Sequence, residues 1–215
     1  MRTNSTPHVC AHAGSVLSAV LTLGWLGVQA VQARMPEPEV TLTVRVYNYA
    51  QVSAGTLATA KEVSRRIFRE AGVELRLIDC TWREEERASR PACGESIGSF
   101  SFDLRILPRA MTERFRPPAG TMGFALRSDA YVHFDRINRL PEYLSRSPGT
   151  ILGHVMAHEL GHLLLGEEHN CMEGIMSARL HKGLVERADH GRLLFSELEA
   201  QRIRERLRAQ VQAKR

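Results

Sequence analysis

His158 and His162 stand four residues apart, with Glu159 next to the first of them, in the run His158-Glu159-Leu160-Gly161-His162. On a helix, side chains four apart project from one face, so these two neutral imidazoles can grip a single metal ion. Glu159 can reach a water on that metal without ligating it, which is the placing of a general base. Zinc in such a site lowers the pKa of the water, the carboxylate takes the proton, and a polarised carbonyl is attacked. The chemistry to expect is hydrolysis. A catalytic zinc needs a third protein ligand and an open position. The chain continues Leu163-Leu164-Leu165-Gly166-Glu167-Glu168-His169. Gly166 can take the left-handed conformation that ends a helix and turns the chain back, bringing His169 beside the first two ligands.

The elements around this segment read as an α/β domain. Val40 to Tyr47 alternates apolar and polar residues and is rich in branched side chains, so it predicts a strand. Ser53 can cap a helix carrying Leu57, Ala60, Val63, Ile67 and Phe68 on one face, and Gly72 stops it. Val73 to Ile78 is a second strand, and strand-helix-strand defaults to a right-handed crossover. After a charged loop over 81–98 come a strand at Phe102–Leu107 ended by Pro108, and a turn at Pro117–Gly120. Two short strands follow, Met122–Leu126 and Tyr131–Phe134, which either pair or simply succeed one another. An amphipathic helix is expected from about Pro148 through the histidines to Leu165. A last helix starts near Ser196, where Ser196 and Glu199 make a capping box, with Leu198, Ile203, Leu207 and Val211 as its apolar stripe.

The ends of the chain set the context. Arg2 precedes an uncharged apolar run from Val16 to Val28, followed by Val28-Gln29-Ala30 and Val31-Gln32-Ala33, each with small residues suited to cleavage. That layout is a secretory signal peptide over 1–33, with an uncleaved N-terminal anchor as the alternative. The protein is therefore expected to be exported, to the periplasm or beyond. Cys80, Cys93 and Cys171 remain after residue 33. An oxidising compartment favours a Cys80–Cys93 bridge, leaving Cys171 as a buried thiol or as a replacement for one partner. The formal net charge of +5 is concentrated between Arg202 and Arg208 and reads as a solvated helix face. No basic-aromatic interleaving points to nucleic acid.

The histidine run, its glycine and its third histidine resemble the metzincin clan of zinc peptidases, of archaemetzincin or matrixin type, whose pattern is H-E-x-x-H-x-x-G-x-x-H. This chain has one extra residue before the glycine. Glu168 therefore keeps the clan's spacing for the third ligand, while His169 keeps its spacing from the glycine. Since the glycine sets where the chain turns, His169 is favoured and Glu168 stays the alternative. The clan also places a methionine turn beneath its metal, and Gly174-Ile175-Met176 is the counterpart, with an ordinary core methionine as the plainer reading. The resemblance implies a metzincin-like zincin domain over 34–215, with a mixed twisted sheet. An antiparallel edge strand, here Met122–Leu126, would pair with extended substrate. More narrowly, Val44–Tyr49 and Ala157–Gly166 resemble uncharacterised exported bacterial proteins grouped with zinc peptidases, for which no substrate is known.

These residues lead to one expectation: a zinc-dependent endopeptidase acting on peptides or proteins, with Zn2+ on His158, His162 and His169 and Glu159 as base. Some clan members carry a tyrosine after the methionine turn to steady the oxyanion. Ser177–His181 supplies none, leaving Arg179 or His181 as substitutes. That absence motivates a rival, an exported zinc-containing binding protein without catalysis. A second rival is a structural module whose zinc is closed off by Glu168 or Cys171. His154, one turn before His158 on nearly the same face, reads as a surface or core histidine, with a place behind the ligands or facing substrate as the alternative, and His133, His181 and His190 carry no assignment.

Overall fold

The computed structural model describes residues 40–80, 93, 101–140, 147–166, 169, 174–177, 187–188 and 190–213. The signal peptide expected over 1–33 lies outside them, as do Glu168, Cys171, Arg179 and His181.

Strand β1 (Val40–Asn48) leads through helix α1 (Ala54–Glu70) to β2 (Val73–Cys80), which pairs with β1 in parallel. The alternation seen in the sequence is real: Leu42, Val44 and Val46 are buried on one face while their neighbours point to the other. Ser53 caps α1 by accepting from the Thr56 N–H at 3.3 Å, and Gly72 leaves it at φ +74°. Ala60, Ile67 and Phe68 of the predicted face are buried, whereas Leu57 and Val63 are only partly so. Ser64 joins that face, its one hydroxyl hydrogen shared between the carbonyls of Ala60 and Gly153, each 2.9 Å away. Lys61, also nearly buried, ion-pairs with Asp79.

Strand β3 (Ser101–Leu107) is followed by helix α2 (Arg109–Phe115), an element the sequence reading leaves out. Its seven residues are too few for an apolar period to show, and Arg109 bonds Glu113 one turn on at 2.6 Å. Strands β4 (Gly123–Leu126) and β5 (Asp129–His133) do pair, as an antiparallel hairpin across Arg127–Ser128, with Arg127 at φ +58°. Phe134, expected to end the second of these strands, begins the short helix α3 (Phe134–Ile137) instead. The described strands form one sheet in the order β2-β1-β3-β5-β4, parallel throughout except for β4 at one edge. This is the mixed α/β architecture expected.

Helix α4 (Pro148–Leu165) carries the histidine run and begins at Ser147, whose side chain accepts from the Thr150 N–H. The sequence suggests an amphipathic helix, but α4 is enclosed on nearly every side, by α1, by β4 and β5, and by helix α5 (Glu197–Gln212). A helix apolar all round is a core helix. Two glycines permit that depth. A Cβ on Gly149 would lie 2.8 Å from the Thr56 carbonyl oxygen, and one on Gly153 would lie 2.6 Å from that of Ala60. The backbones of α1 and α4 therefore meet almost directly.

Helix α5 has the capping box read from its sequence, and Ile203 and Leu207 are buried as expected. Leu198 and Val211 are not, being 42% and 41% exposed. The buried face runs through Glu199, Ala200, Ile203 and Leu207 at helical spacing, and Leu198 and Val211 fall to its sides. Cys80 and Cys93 are bonded, so that pairing is as anticipated.

Candidate metal centre

Helix geometry brings His158 and His162 together as the spacing requires, with rings nearly perpendicular and centroids 4.6 Å apart. Each ring is oriented by a carbonyl behind it. His158 Nδ1 donates to the Ile175 carbonyl at 2.7 Å, and His162 Nδ1 faces that of Gly166 at 3.4 Å. A carbonyl only accepts, so the hydrogens sit on Nδ1 and the lone pairs on Nε2. The two Nε2 atoms are 3.0 Å apart. Burial pushes both imidazoles below the usual histidine range, His162 to about 4 with the charges of His158 and His169 adding to the effect. At neutral pH they are unprotonated, and two converging lone pairs call for a cation between them.

Glu159 completes the group. One ligand atom from each of His158, Glu159 and His162 falls within 4.8 Å of the others. The carboxyl is 4% exposed, its Oε2 has no partner, and burial raises its pKa to about 8. A buried carboxyl oxygen without a hydrogen bond is costly unless something else comes to it. The residues present therefore suit a zinc ion: neutral nitrogens, a carboxyl beside them and a polar atom left to be satisfied.

Strand β4 forms the wall against this carboxyl. A Cβ on Gly123 would stand 2.5 Å from Glu159 Oε1 and 2.6 Å from the Tyr131 carbonyl oxygen, so only glycine fits there. His133 donates its N–H to the Met122 carbonyl at 2.7 Å. By the alternation of an antiparallel pair, the N–H and C=O of Gly123 and Ala125 then turn away from β5. They face the edge of the sheet, where no strand pairs with β4 among the described residues.

Beneath α4, Met176 is fully buried, and a Cβ on Gly161 would meet its sulfur at 2.5 Å and Phe195 at 2.9 Å. The methionine is thus seated under the helix between the two histidines. Its turn is tied down by the Ile175 N–H donating to the Leu194 carbonyl at 3.1 Å, with Gly174 at φ +81°. Gly166 ends α4 as expected in sign, at φ +113°, but its ψ of 144° is extended rather than left-handed helical. That conformation is essentially reserved for glycine. The His169 N–H then donates to the Gly166 carbonyl at 3.1 Å.

His169 is placed differently from the other two histidines. Its Nε2 faces Glu199 Oε1 at 3.1 Å, and it lies outside the group formed by His158, Glu159 and His162. Glu199 is a residue the sequence reading treats only as a cap, because the contact depends on a chain fold thirty residues long. His154 bonds the Thr150 carbonyl in its own helix at 2.8 Å, and His133 is buried against Thr112 at 3.1 Å, so both belong to the core. His190 is exposed.

No protein-family model matches the sequence, and no curated protein does. Among solved structures, archaemetzincin from Methanopyrus kandleri is similar over 78% of this chain and 96% of that chain, with 13% identity and a TM-score of 0.47.

Proposed function

We propose that residues 34–215 form an exported, zinc-dependent peptidase domain in which His158, His162 and His169 hold the metal and Glu159 is the general base. The observation that carries this reading is the pair of neutral imidazoles, His162 buried and His158 partly buried, whose Nε2 atoms converge at 3.0 Å beside a buried carboxyl with an unpartnered oxygen. When bound, zinc supplies Lewis acidity to a water and to the carbonyl of the scissile bond. Glu159 takes the proton of the attacking water at Oε2 and delivers it to the leaving amine nitrogen. Burial raises its pKa to about 8 in the metal-free chain, and a metal cation beside it would favour the carboxylate form that accepts the proton. An extended peptide laid along β4 would find the outward N–H and C=O groups of Gly123 and Ala125, and Gly123 lets its backbone pass close to Glu159. Export is supported by the layout of residues 1–33 and by the Cys80–Cys93 disulfide, which suits an oxidising compartment.

One observation favours the rival reading, a zinc-containing binding protein without turnover: His169 is bonded to Glu199 rather than grouped with His158 and His162. The two readings part in one experiment. Residues 34–215 are loaded with zinc and offered a mixed peptide library, with products read by mass spectrometry beside Glu159→Gln. Cuts made by the wild type alone support the peptidase. A folded, zinc-loaded wild type that cuts nothing supports the binding protein.

A further inference from the structure

Strand β4 carries no charge in its four residues, Gly123-Phe124-Ala125-Leu126, although it stands at the edge of the sheet. Its two faces differ. Gly123 is turned to Glu159, as the crowding around an added Cβ shows. Phe124 lies on the opposite face, where its ring stacks on that of Tyr131 with centroids 4.5 Å apart. By the two-residue alternation of a strand, Leu126 shares the face of Phe124, and Ala125 that of Gly123. Phe115, the last residue of α2, reaches over the same rings, 5.1 Å from Phe124 and 5.4 Å from Tyr131. Phe115 is 49% exposed and Leu126 48%, so two of the four exposed large apolar side chains among the described residues flank one short strand. The apolar surface stops short inward. Beyond Tyr131 comes Arg105, whose guanidinium lies 5.6 Å from the Tyr131 ring and 5.5 Å from that of Tyr47, and which is paired with Asp103 and Asp129. A layer packed over the whole face would bury those charges, whereas an occupant confined to the edge would not. Edge strands are ordinarily protected from other chains by charged residues, and contiguous exposed apolar surface marks a place where something binds. Here the apolar rim and the outward N–H and C=O groups of Gly123 and Ala125 belong to the same strand.

We propose that Phe115, Phe124 and Leu126 form a subsite that selects extended peptides by a large apolar side chain, aromatic ones above all, on the face of β4 away from Glu159. The inference rests on the reading of β4 as the strand that substrate joins, and it names a substrate class for that site. A chain added to β4 turns successive side chains to opposite faces. Those opposite Gly123 and Ala125 lie on the Glu159 side. The one opposite Phe124 meets the rings of Phe115 and Phe124, and the one opposite Leu126, two residues away, meets that leucine. An aromatic side chain can stack offset or edge-on against rings already tilted 58° to one another. Backbone pairing supplies affinity without sequence preference, so on this face the apolar rim is where choice among peptides enters.

The test gives a mixed peptide library to zinc-loaded residues 34–215 and reads the residues around each cut by mass spectrometry. Wild type is compared with Phe115→Ser, Leu126→Ser, their double variant and Leu198→Ser, which removes an exposed apolar side chain from α5 instead. Thermal unfolding of each is measured alongside, and the single variants carry the comparison if the double one does not fold. The same library is passed over immobilised, zinc-loaded Glu159→Gln, with and without the two serines, to read retention apart from cleavage. Wild-type cuts should favour a large apolar residue over serine by about 10-fold at one fixed distance from the scissile bond, with a weaker preference two residues from it. The serines at 115 and 126 should bring that ratio towards parity, and Leu198→Ser should leave it unchanged. Cuts without an apolar preference, a preference that survives at every position in the variants, or an equal loss in Leu198→Ser would overturn the subsite and leave the peptidase standing. A dimer of wild type that the two serines dissolve would make a second copy the occupant and overturn it as well. Apolar peptides retained by Glu159→Gln and released by the serines, with no cutting by wild type, would overturn the peptidase and keep the subsite. Neither retention nor cutting would overturn both.

Discussion

The two halves of α4 are built on opposite terms. From Pro148 to Ala157 the helix is pressed against α1, with Gly149 and Gly153 letting the backbones touch and Ile151, Leu152 and Met156 filling the space around them. From His158 onward the same helix encloses one imidazole fully and one partly, together with a buried carboxyl, one of whose oxygens has no partner. The first half gains stability from close packing. The second half gives some up, because buried polar groups short of partners are costly. One element thus packs closely at one end and carries the candidate metal centre at the other.

That contrast breaks most sharply in turnover. Glu159→Gln should abolish nearly all peptide cleavage, with a loss of about 10²- to 10⁴-fold in kcat, while zinc content stays at the wild-type level. The check is single-turnover cleavage beside metal analysis, and cleavage at the wild-type rate would remove Glu159 from its role. In the packed half the damage should fall on stability instead. Gly153→Ala forces a methyl to within 2.6 Å of the Ala60 carbonyl oxygen and is expected to cost about 1–3 kcal/mol by urea denaturation.

A sharper form of the comparison uses pH. Glu159 in the unfolded chain ionises near its ordinary value of 4.5, whereas in the folded, metal-free chain burial holds the proton until about 8. Between those values the folded state binds more protons, so this group makes stability fall as pH rises. Metal-free Glu159→Gln should therefore grow more stable relative to wild type from pH 5 to pH 8, as followed by denaturation in chelator. A gap that stays constant with pH would show that the carboxyl is better solvated than its burial suggests. The smallest effect belongs to the start of the helix. Ser147→Ala removes the acceptor for the Thr150 N–H and should cost about 1 kcal/mol in thermal unfolding, with little change in zinc affinity.

Local chemistry was the most legible part of the chain. The caps at Ser53 and Ser196, the strand alternation of Val40–Tyr47, the bridge of Cys80 to Cys93 and the one-face placing of His158 and His162 all depend on residues close in sequence. The elements that were misjudged depend on distant neighbours or on too few residues. Helix α2 is shorter than two full apolar periods, and α4 reads as amphipathic until α1, the sheet and α5 are seen to enclose it. Leu198 and Val211 look like core residues beside Ile203 and Leu207 until the packing of α5 buries Glu199 and Ala200 in their place.

By itself the sequence determined that two histidines and a glutamate share a helix face, and that a glycine must end the helix just after them. Both follow from the 3.6-residue repeat and from the backbone conformation at Gly166, which side chains resist. Only the tertiary structure decided what stands around that face: Gly123 of β4 against the carboxyl, Met176 beneath Gly161, the Ile175 carbonyl behind His158 and Glu199 beside His169. Those contacts join residues tens of positions apart through bonds with no periodicity of their own, so they exist only once the sheet and helices have packed.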